Sequence, residues 1–568
     1  MDAVAELLHR KPELALFVSI VLGQIIGRFH VKAFGLGSVV GTLVAGIGVG
    51  ILARPELPDL LRWTFFYLFL FSIGYSVGPQ FFGSLRKETL PQVLLAVVVA
   101  VTGLATVVAV SVAFGFDEGT AVGVLSGGLT QSAALGTGLN AIAALPIDAE
   151  LKAQLSGHAP LADAITYGFG DLGLILMISV LGPMLMRADL RKDAEALQAE
   201  LSGGRRPTDS FLAGRPVATR AYRLEKRTIV GLTVPEVEER YAAGRLSVQR
   251  VRRGGALMPL AADLRVQDGD ALVVAAQRAV LIRANDEIGP EIDDPEILAV
   301  PARSLAIVVT SREFAGKTLG ELAADRAATR GVYLESIHRG EEELPREAGT
   351  KLERGDVVRL VGAPEDVERV ARNFGFVERD AAKTDLTFVA AGISAGILAG
   401  LLTIDLGGVP LGLGTAGSIL VVGLFVGWAR SRYPVFGAIP APAQRLMADI
   451  GLTVFIGVIG LTAGPHAVEA YQKQGAGFFL SIFVAGMVVT MVPLLVGLLF
   501  ARKVVRMRPI MALGGLVGAQ TCTPGLNALR EVSGSNIGAL GYTVPYAIGN
   551  ILLTLWGPLT VAIVHQLR

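Results

Sequence analysis

Cysteine is nearly missing from this chain. Cys522 stands alone among 568 residues, which rules out an intrachain disulfide and a cysteine metal cluster. Charge is scarce too. Asp, Glu, Lys and Arg make up 18% of the sequence, where a soluble globular protein carries roughly 25%. What charge there is nearly cancels, to a formal net +1, so nothing argues for a nucleic-acid partner. No small-x-small cleavage pattern follows the first apolar stretch, "LALFVSIVLGQIIG", and further apolar spans come after it. It therefore reads as a retained membrane helix and not as a leader. Hydrophobic residues fill 52% of the chain, which points to an integral membrane protein with a soluble part.

Three regions follow one another. Residues 14–187 are apolar, 188–384 are charged, and 385–565 are apolar again. Runs long enough to cross a bilayer as helices, roughly 20 residues each, fall near 13–30, 35–53, 63–82, 90–115, 119–145 and 159–186. A second set falls near 385–403, 411–429, 446–464, 476–501, 510–529 and 537–564. The halves repeat in order. "GLGSVVGTLVAGIGVG" (35–50) pairs with "GLGTAGSILVVGLFVG" (412–427). "FLFSIGYSVGP" (69–79) pairs with "FIGVIGLTAGP" (455–465), and "GVLSGGLTQSAAL" (123–135) with "GGLVGAQTCTPGL" (514–526). "TYGFGDLG" (166–173) pairs with "VPYAIGNIL" (544–552), setting Asp171 opposite Asn550. Internal repeats of this kind are a mark of transporter cores. "GLGTAG" (412–417) has the form of a dinucleotide loop but no soluble βαβ unit around it, so close helix packing explains its small residues.

Basic residues orient the halves. Arg28, Lys32, Arg86, Lys87, Arg187, Arg191, Lys192, Arg430, Arg432, Arg502, Lys503, Arg506 and Arg508 flank span ends. Placing them inside puts about sixteen basic residues in the cytoplasm against about seven outside. That requires the N-terminus outside and an odd number of crossings per half. The predicted fold is thus an α-helical polytopic membrane protein of two inverted repeats. Each has about five crossings plus one re-entrant hairpin, at 119–145 and 510–530. Between them lies a cytoplasmic insert of two small α/β domains.

The hairpins carry the chemistry. Broken backbone in hydrocarbon leaves amide and carbonyl groups unpaired at several kcal/mol each, so it survives only where protein or water covers it. A hairpin tip also presents helix N-termini, which favour anions. Thr130, Gln131 and Ser132 on one tip, with Gln520, Thr521, Cys522, Thr523 and Asn527 on the other, are the candidate binding residues for a small carboxylate-bearing or amino-acid solute. Pro524 breaks the second helix. A single Thr in a membrane helix often just bonds back to its own backbone; two symmetry-related clusters favour a site. Asp171, within an apolar span, is a candidate for coupling or gating, with Asn550 as its counterpart. It can hold a cation, take a proton or bond the facing hairpin. Asp163 is expected near the wet outer end, Arg62 to snorkel, and His158 and His466 to lie at the interface. Neither a catalytic group, a metal-ligand spacing nor a cofactor motif stands out.

The domains fall at 1–188 (N-terminal membrane repeat), 189–204 (linker), 205–290 and 291–380 (the two insert domains), and 381–568 (C-terminal membrane repeat). The insert repeats as well. Arg253-Gly254 and Gly269-Asp270 match Arg339-Gly340 and Gly355-Asp356, giving in each unit a helix after "GxT", a strand, a turn, and a strand after "GD". This pattern resembles the TrkA-C (RCK-C) domain. Its small-molecule ligand, if the pair takes one, is left open beside a plain dimer contact or scaffold. Two hydrophobic halves around such a pair, with "GGLTQSAALGTG" and "GAQTCTPGLNAL" in corresponding places, resemble the aspartate–alanine exchanger family. The resemblance implies a bacterial inner-membrane antiporter, homodimeric, moving its site past a fixed scaffold in an elevator-like cycle. Its termini would be periplasmic and its insert cytoplasmic. The first tip lacks the Thr-Pro of the second, so the tips need not share one role. Two alternatives stand beside this: a dicarboxylate (succinate-type) exporter, and a TrkA-C-regulated ion channel or cation-transport subunit. The channel reading calls for a filter such as T-V-G-Y-G, and "GYTVPYAIG" (541–549) is only superficially similar. A membrane sensor without transport is a further option.

Overall fold

The computed structural model describes residues 2–28, 30–31, 34–35, 37–84, 89–201, 217–225, 228–241, 246–299, 302–325, 329–340, 342–378, 384–402, 404–406, 409–411, 414–432 and 439–568. Lys32, Arg86, Lys87, the start of the 412–417 glycine run and residues 202–216 lie outside them. The chain divides into two compact units, residues 1–194 with 381–568, and residues 195–380.

The first unit is helical because hydrocarbon forces each backbone polar group to find its partner inside its own segment. The first half comprises α1 (Asp2–Arg10), α2 (Pro12–Gly27), α3 (Gly37–Ala53), α4 (Asp59–Ser84), α5 (Leu90–Phe114), α6 (Glu118–Gly128), α7 (Ser132–Ala144) and α8 (Ala149–Leu176). A π-helical turn at Met177–Leu181 carries α8 on to Met186. The second half repeats the order from α2 onward: α9 (Leu386–Gly400), α10 (Gly414–Arg432), α11 (Ala441–Phe500), α12 (Pro509–Ala519), α13 (Thr523–Ser533) and α14 (Ala539–Leu567). Helix α11 is two helices joined at Gly475, whose φ of 69° and ψ of −177° only glycine adopts readily. Six helical stretches among the described residues are long and apolar enough to cross a membrane, and α2, α3, α9 and α12 are shorter apolar helices.

The repeats interlock by exchange. Helix α4 packs on α10, and α11 packs on α3, which is the counterpart of α10. Small residues permit this. A methyl at Gly78 would lie 2.1 Å from the Leu424 carbonyl oxygen, and one at Gly50 would lie 2.2 Å from that of Leu461. Phe66 of α4 stacks on Phe455 of α11 at 4.3 Å in the buried centre.

The insert is a duplicated antiparallel fold. Strands β1 (Val217–Arg223), β2 (Ser247–Arg253), β3 (Ala256–Met258), β4 (Ala271–Gln277) and β5 (Glu291–Ile292) lie in the order β3-β2-β4-β1-β5. Strands β6 (Arg303–Val309), β7 (Val332–Arg339), β8 (Glu342–Glu343), β9 (Val357–Gly362) and β10 (Gly375–Glu378) lie in the order β8-β7-β9-β6-β10, the same topology five strands on. The local chemistry repeats too. Thr233 and Thr318 each cap a helix in a reciprocal box with Glu236 and Glu321. Arg253 grips Asp270 through two bonds of 2.9 Å, and Arg339 grips Asp356 through two of 2.8 Å. Between the domains, Arg330 donates to Glu238 at 2.8 and 2.9 Å.

Candidate functional site

Each hairpin turns on a threonine. Thr130 has φ +53° and Thr521 φ +56°, the left-handed region that costs a residue with a side chain about 1–2 kcal/mol. The same backbone bonds close both turns. The Gln131 amide donates to the Ser126 carbonyl at 2.8 Å, and the Cys522 amide to the Val517 carbonyl at 3.2 Å. Past the turns, α7 begins at Ser132 and α13 at Thr523, and no side chain caps either one. Both N-termini thus keep donors and a positive dipole end for a ligand.

The tips meet. Thr130 Oγ1 donates to the Gln520 carbonyl at 2.8 Å. Two long helices show that the hairpins enter from opposite ends. Methyl groups built at Gly119, Gly123 and Gly127, from the base of hairpin 1 to its tip, would strike α8 at Leu155, Ala159 and then Thr166. Farther along α8, Asp171 Oδ1 accepts from Cys522 Sγ at 3.2 Å, and Leu174 lies over Gly525. Helix α14 runs the other way. Residues Gly538 to Gly549 follow hairpin 2 from Gly514 to Ala519, Asn550 Oδ1 accepts from Gln131 Nε2 at 3.3 Å, and His565 reaches Glu118 at the base of hairpin 1. Asp171 and Asn550 therefore occupy equivalent places. Asp171 thus bonds the facing hairpin.

Around the tips, Thr130, Gln131, Ser132, Gln520 and Cys522 are buried, and Thr521 is partly so. Thr523, Pro524 and Asn527 are exposed. The site is closed around hairpin 1 and open on the face of α13.

The family model described as "Predicted Permease Membrane Region", Asp-Al_Ex, matches residues 15–183 and 388–562, which takes in both halves and both tips. The chain belongs to the aspartate–alanine exchanger family. It is a transporter and a multi-pass membrane protein. The TrkA-C domain model matches residues 304–375, the second insert domain. A protein of Bordetella bronchiseptica is 51% identical over 99% of this chain and 98% of its own length. One from Bradyrhizobium diazoefficiens is 39% identical over 99% of both chains, and one from Zymomonas mobilis 34% identical over 99% of both. All three carry the name uncharacterized transporter. No solved structure matches.

Within this exchanger-family transporter, several side chains sit where the sequence did not place them. Asp163, expected in water, is fully buried, because α6 closes over it through Gly127. His158 is buried, its Nδ1 2.5 Å from Asp117 Oδ2, while His466 is half-buried. Arg62 pairs with Asp59 at 2.8 Å near the start of α4, its side chain mostly covered. Two contributors to the tips escaped the sequence reading. Thr490 donates to the Gly128 carbonyl at 2.8 Å and so holds hairpin 1 against α11. Arg530 donates to Asn527 Oδ1 at 3.3 Å, on the open face of α13. Arg530 had a signal, as the one Lys or Arg between Arg508 and the chain's last residue; Thr490, one hydroxyl in an apolar helix, had none.

Proposed function

We propose that this transporter exchanges small carboxylate solutes across the bacterial inner membrane, taking in aspartate and releasing alanine. The observation that carries this reading is the convergence of two uncapped helix N-termini at the touching tips, a receptor for an anionic group in a protein-lined break in the membrane. Backbone donors of α7 and α13 take the carboxylate. Ser132, Thr130 and Gln131 line it from hairpin 1, and Thr521, Cys522, Thr523, Gln520 and Asn527 from hairpin 2. Asp171 and Asn550, each bonded to the facing tip, gate it.

The cycle is alternating access by an elevator-like movement in a homodimer. Opposite entry of the hairpins supports this, since loosening one tip opens the site to one side only. The basic residues favour periplasmic termini and a cytoplasmic insert. Monoanionic aspartate entering against neutral alanine carries one negative charge inward per turn, worth roughly 2.3 kcal/mol per 100 mV.

Purified protein in liposomes preloaded with alanine, aspartate or succinate tests this. Labelled aspartate should enter against internal alanine, faster with the interior positive. Hydrogen bonds to a charged group are worth about 1.5–3 kcal/mol, so Thr523→Ala and Ser132→Ala should each weaken apparent affinity roughly tenfold or more. Unchanged affinity in both variants places the site elsewhere. Exchange of succinate alone makes it a dicarboxylate exporter, and solute flux that needs no internal counter-solute argues for a channel.

A further inference from the structure

Asp163 lies on α8 one turn before the hairpin 1 tip, fully buried, and among the described residues neither carboxylate oxygen accepts a hydrogen bond. The hydroxyl beside it is that of Ser126. Ser126 Oγ donates instead to the Gln131 carbonyl, 3.1 Å away in the tip turn. A serine has one hydroxyl hydrogen, so it serves the tip or the carboxylate but not both at once.

Among the described residues, no charged side chain pairs with Asp163. Helices α3, α6, α7 and α11 pack on α8. Of these, α3, α7 and residues 476–500 of α11 contain no ionisable side chain, while the earlier part of α11 sets His466 against Gly157 and Ala467 and Ala470 against Leu161, with Glu469 engaged by Lys473 and His466. The one on α6, Glu118, sits at the far end with His565 and Arg568. On α8 itself, Tyr167 follows one turn on beside Ser132, His158 is paired with Asp117, and Asp171 bonds Cys522. Helix α13 reaches α8 only farther along, with Gly525 at Leu174. A bare carboxylate in such a pocket costs many kcal/mol, and buried carboxyls escape that cost by staying protonated.

We propose that Asp163 is a proton-carrying site and that Ser126 sets whether it keeps its proton. With the tip turn closed, Ser126 is committed to Gln131 and Asp163 is the neutral acid. When the turn opens, the Gln131 carbonyl leaves and Ser126 swings to Asp163, favouring the carboxylate. The O–H bond of the acid then breaks, the proton passes to water, and the electron pair stays on the carboxylate. Reclosing takes one proton back. The second repeat has no such device. Gly127 packs on the Asp163 carbonyl and the Tyr167 amide, and Gly518 packs on the Tyr542 carbonyl and the Tyr546 amide. Tyr542 thus replaces Asp163, and by the same register Val517 replaces Ser126. The proton belongs to hairpin 1 alone. Only its link to tip opening rests on the function proposed above.

Infrared difference spectra of the purified full chain test the site without any transported solute. At neutral pH the wild type should show a protonated-carboxyl stretch that is lost in the isosteric Asp163→Asn and kept in Asp171→Asn. Ser126→Ala removes the hydroxyl donor beside the carboxylate, so its band should persist to higher pH than in the wild type. In liposomes that exchange aspartate, a trapped pH dye should report up to one proton per exchange in the wild type and none in Asp163→Asn. The proton site is overturned if Asp163→Asn removes a carboxylate band instead. It is also overturned if added sodium raises the thermal stability of the wild type but not of Asp163→Asn, which marks a metal-cation site. A Ser126→Ala band that titrates like the wild type's overturns the role of Ser126. Wild-type exchange that moves no proton overturns the coupling. Loss of exchange with the infrared result intact points to the substrate reading, not to the proton site.

Discussion

Asp356 and Asp270 do the same job in two environments. Each accepts a two-pronged Arg and the amide three residues before it, Glu353 N and Gln267 N, both at 2.8 Å. Arg339 is more deeply set, with 11% of its side chain exposed against 28% for Arg253, and it has Glu353 at 3.6 Å as well. The Arg339 guanidinium, buried but beside Asp356 and Glu353, is held even more firmly charged than usual. Removing one partner of a buried pair leaves the other charge stranded, at about 3–5 kcal/mol. Asp356→Ala should therefore destabilise the insert by roughly that much, and Asp270→Ala by clearly less, because water reaches Arg253. Thermal unfolding of the full chain, followed by protease sensitivity of the insert, compares them; equal losses would refute the burial argument. At this scale the sequence showed which residues recur but not what they touch. The Arg-Gly and Gly-Asp pairs read as turn punctuation, yet Arg and Asp join across 17 residues. Asp163 was misplaced for a related reason: distance from a helix end does not reveal which face another helix seals.

Helices and strands were the most legible elements. Among the described residues, the apolar runs became the expected helices, because a crossing segment has one economical way to pair its backbone. The polar interruptions became hairpins because Gly and Thr at matched positions break both repeats alike, with Pro524 added in the second. The "GxT" starts of the insert helices are capping boxes. There the backbone amides of Thr233 and Thr318, and then their hydroxyls, hold the Glu236 and Glu321 carboxyls below the usual 4.5. A carboxyl depressed in the folded state stabilises it above the unfolded value, and that stability is lost as pH falls through the lower folded value. The insert should therefore loosen as pH drops below about 4.5. The double variant Glu236→Gln, Glu321→Gln should show a flatter acid limb, measured as protease sensitivity against pH. Glycines give a second test. A methyl at Gly127 would sit 2.1 Å from Thr166 Oγ1 and one at Gly518 2.3 Å from the Tyr542 carbonyl, whereas one at Gly48 meets nothing within 4 Å. Gly127→Ala and Gly518→Ala should force the hairpins off their struts and abolish transport in the liposome assay. Gly48→Ala should retain it and gain up to about 1 kcal/mol from helix propensity.

At the scale of the whole membrane unit, the inversion read from basic residues and the inversion read from α8 and α14 are independent arguments. The first counts charges at span ends; the second follows two struts past two hairpins in opposite senses. What the sequence could not show is how lightly the tips are joined. Thr130 to Gln520 is a neutral hydrogen bond, worth about 0.5–1.5 kcal/mol net, and the same hydroxyl lies beside the Cys522 thiol. Cys522 reports on it, being the sole cysteine, 2% exposed and bonded to Asp171. If the tips separate in every cycle, a thiol reagent reaches Cys522 only in the parted state, and labelling of the wild type should be slow. Thr130→Val keeps the shape and removes the donor. It should raise the parted population, and with it the labelling rate, roughly two- to tenfold, the factor that 0.5–1.5 kcal/mol allows. Val at 130 labelling at the wild-type rate would mean that the tips move as one body, and the gate would then have to lie at the struts.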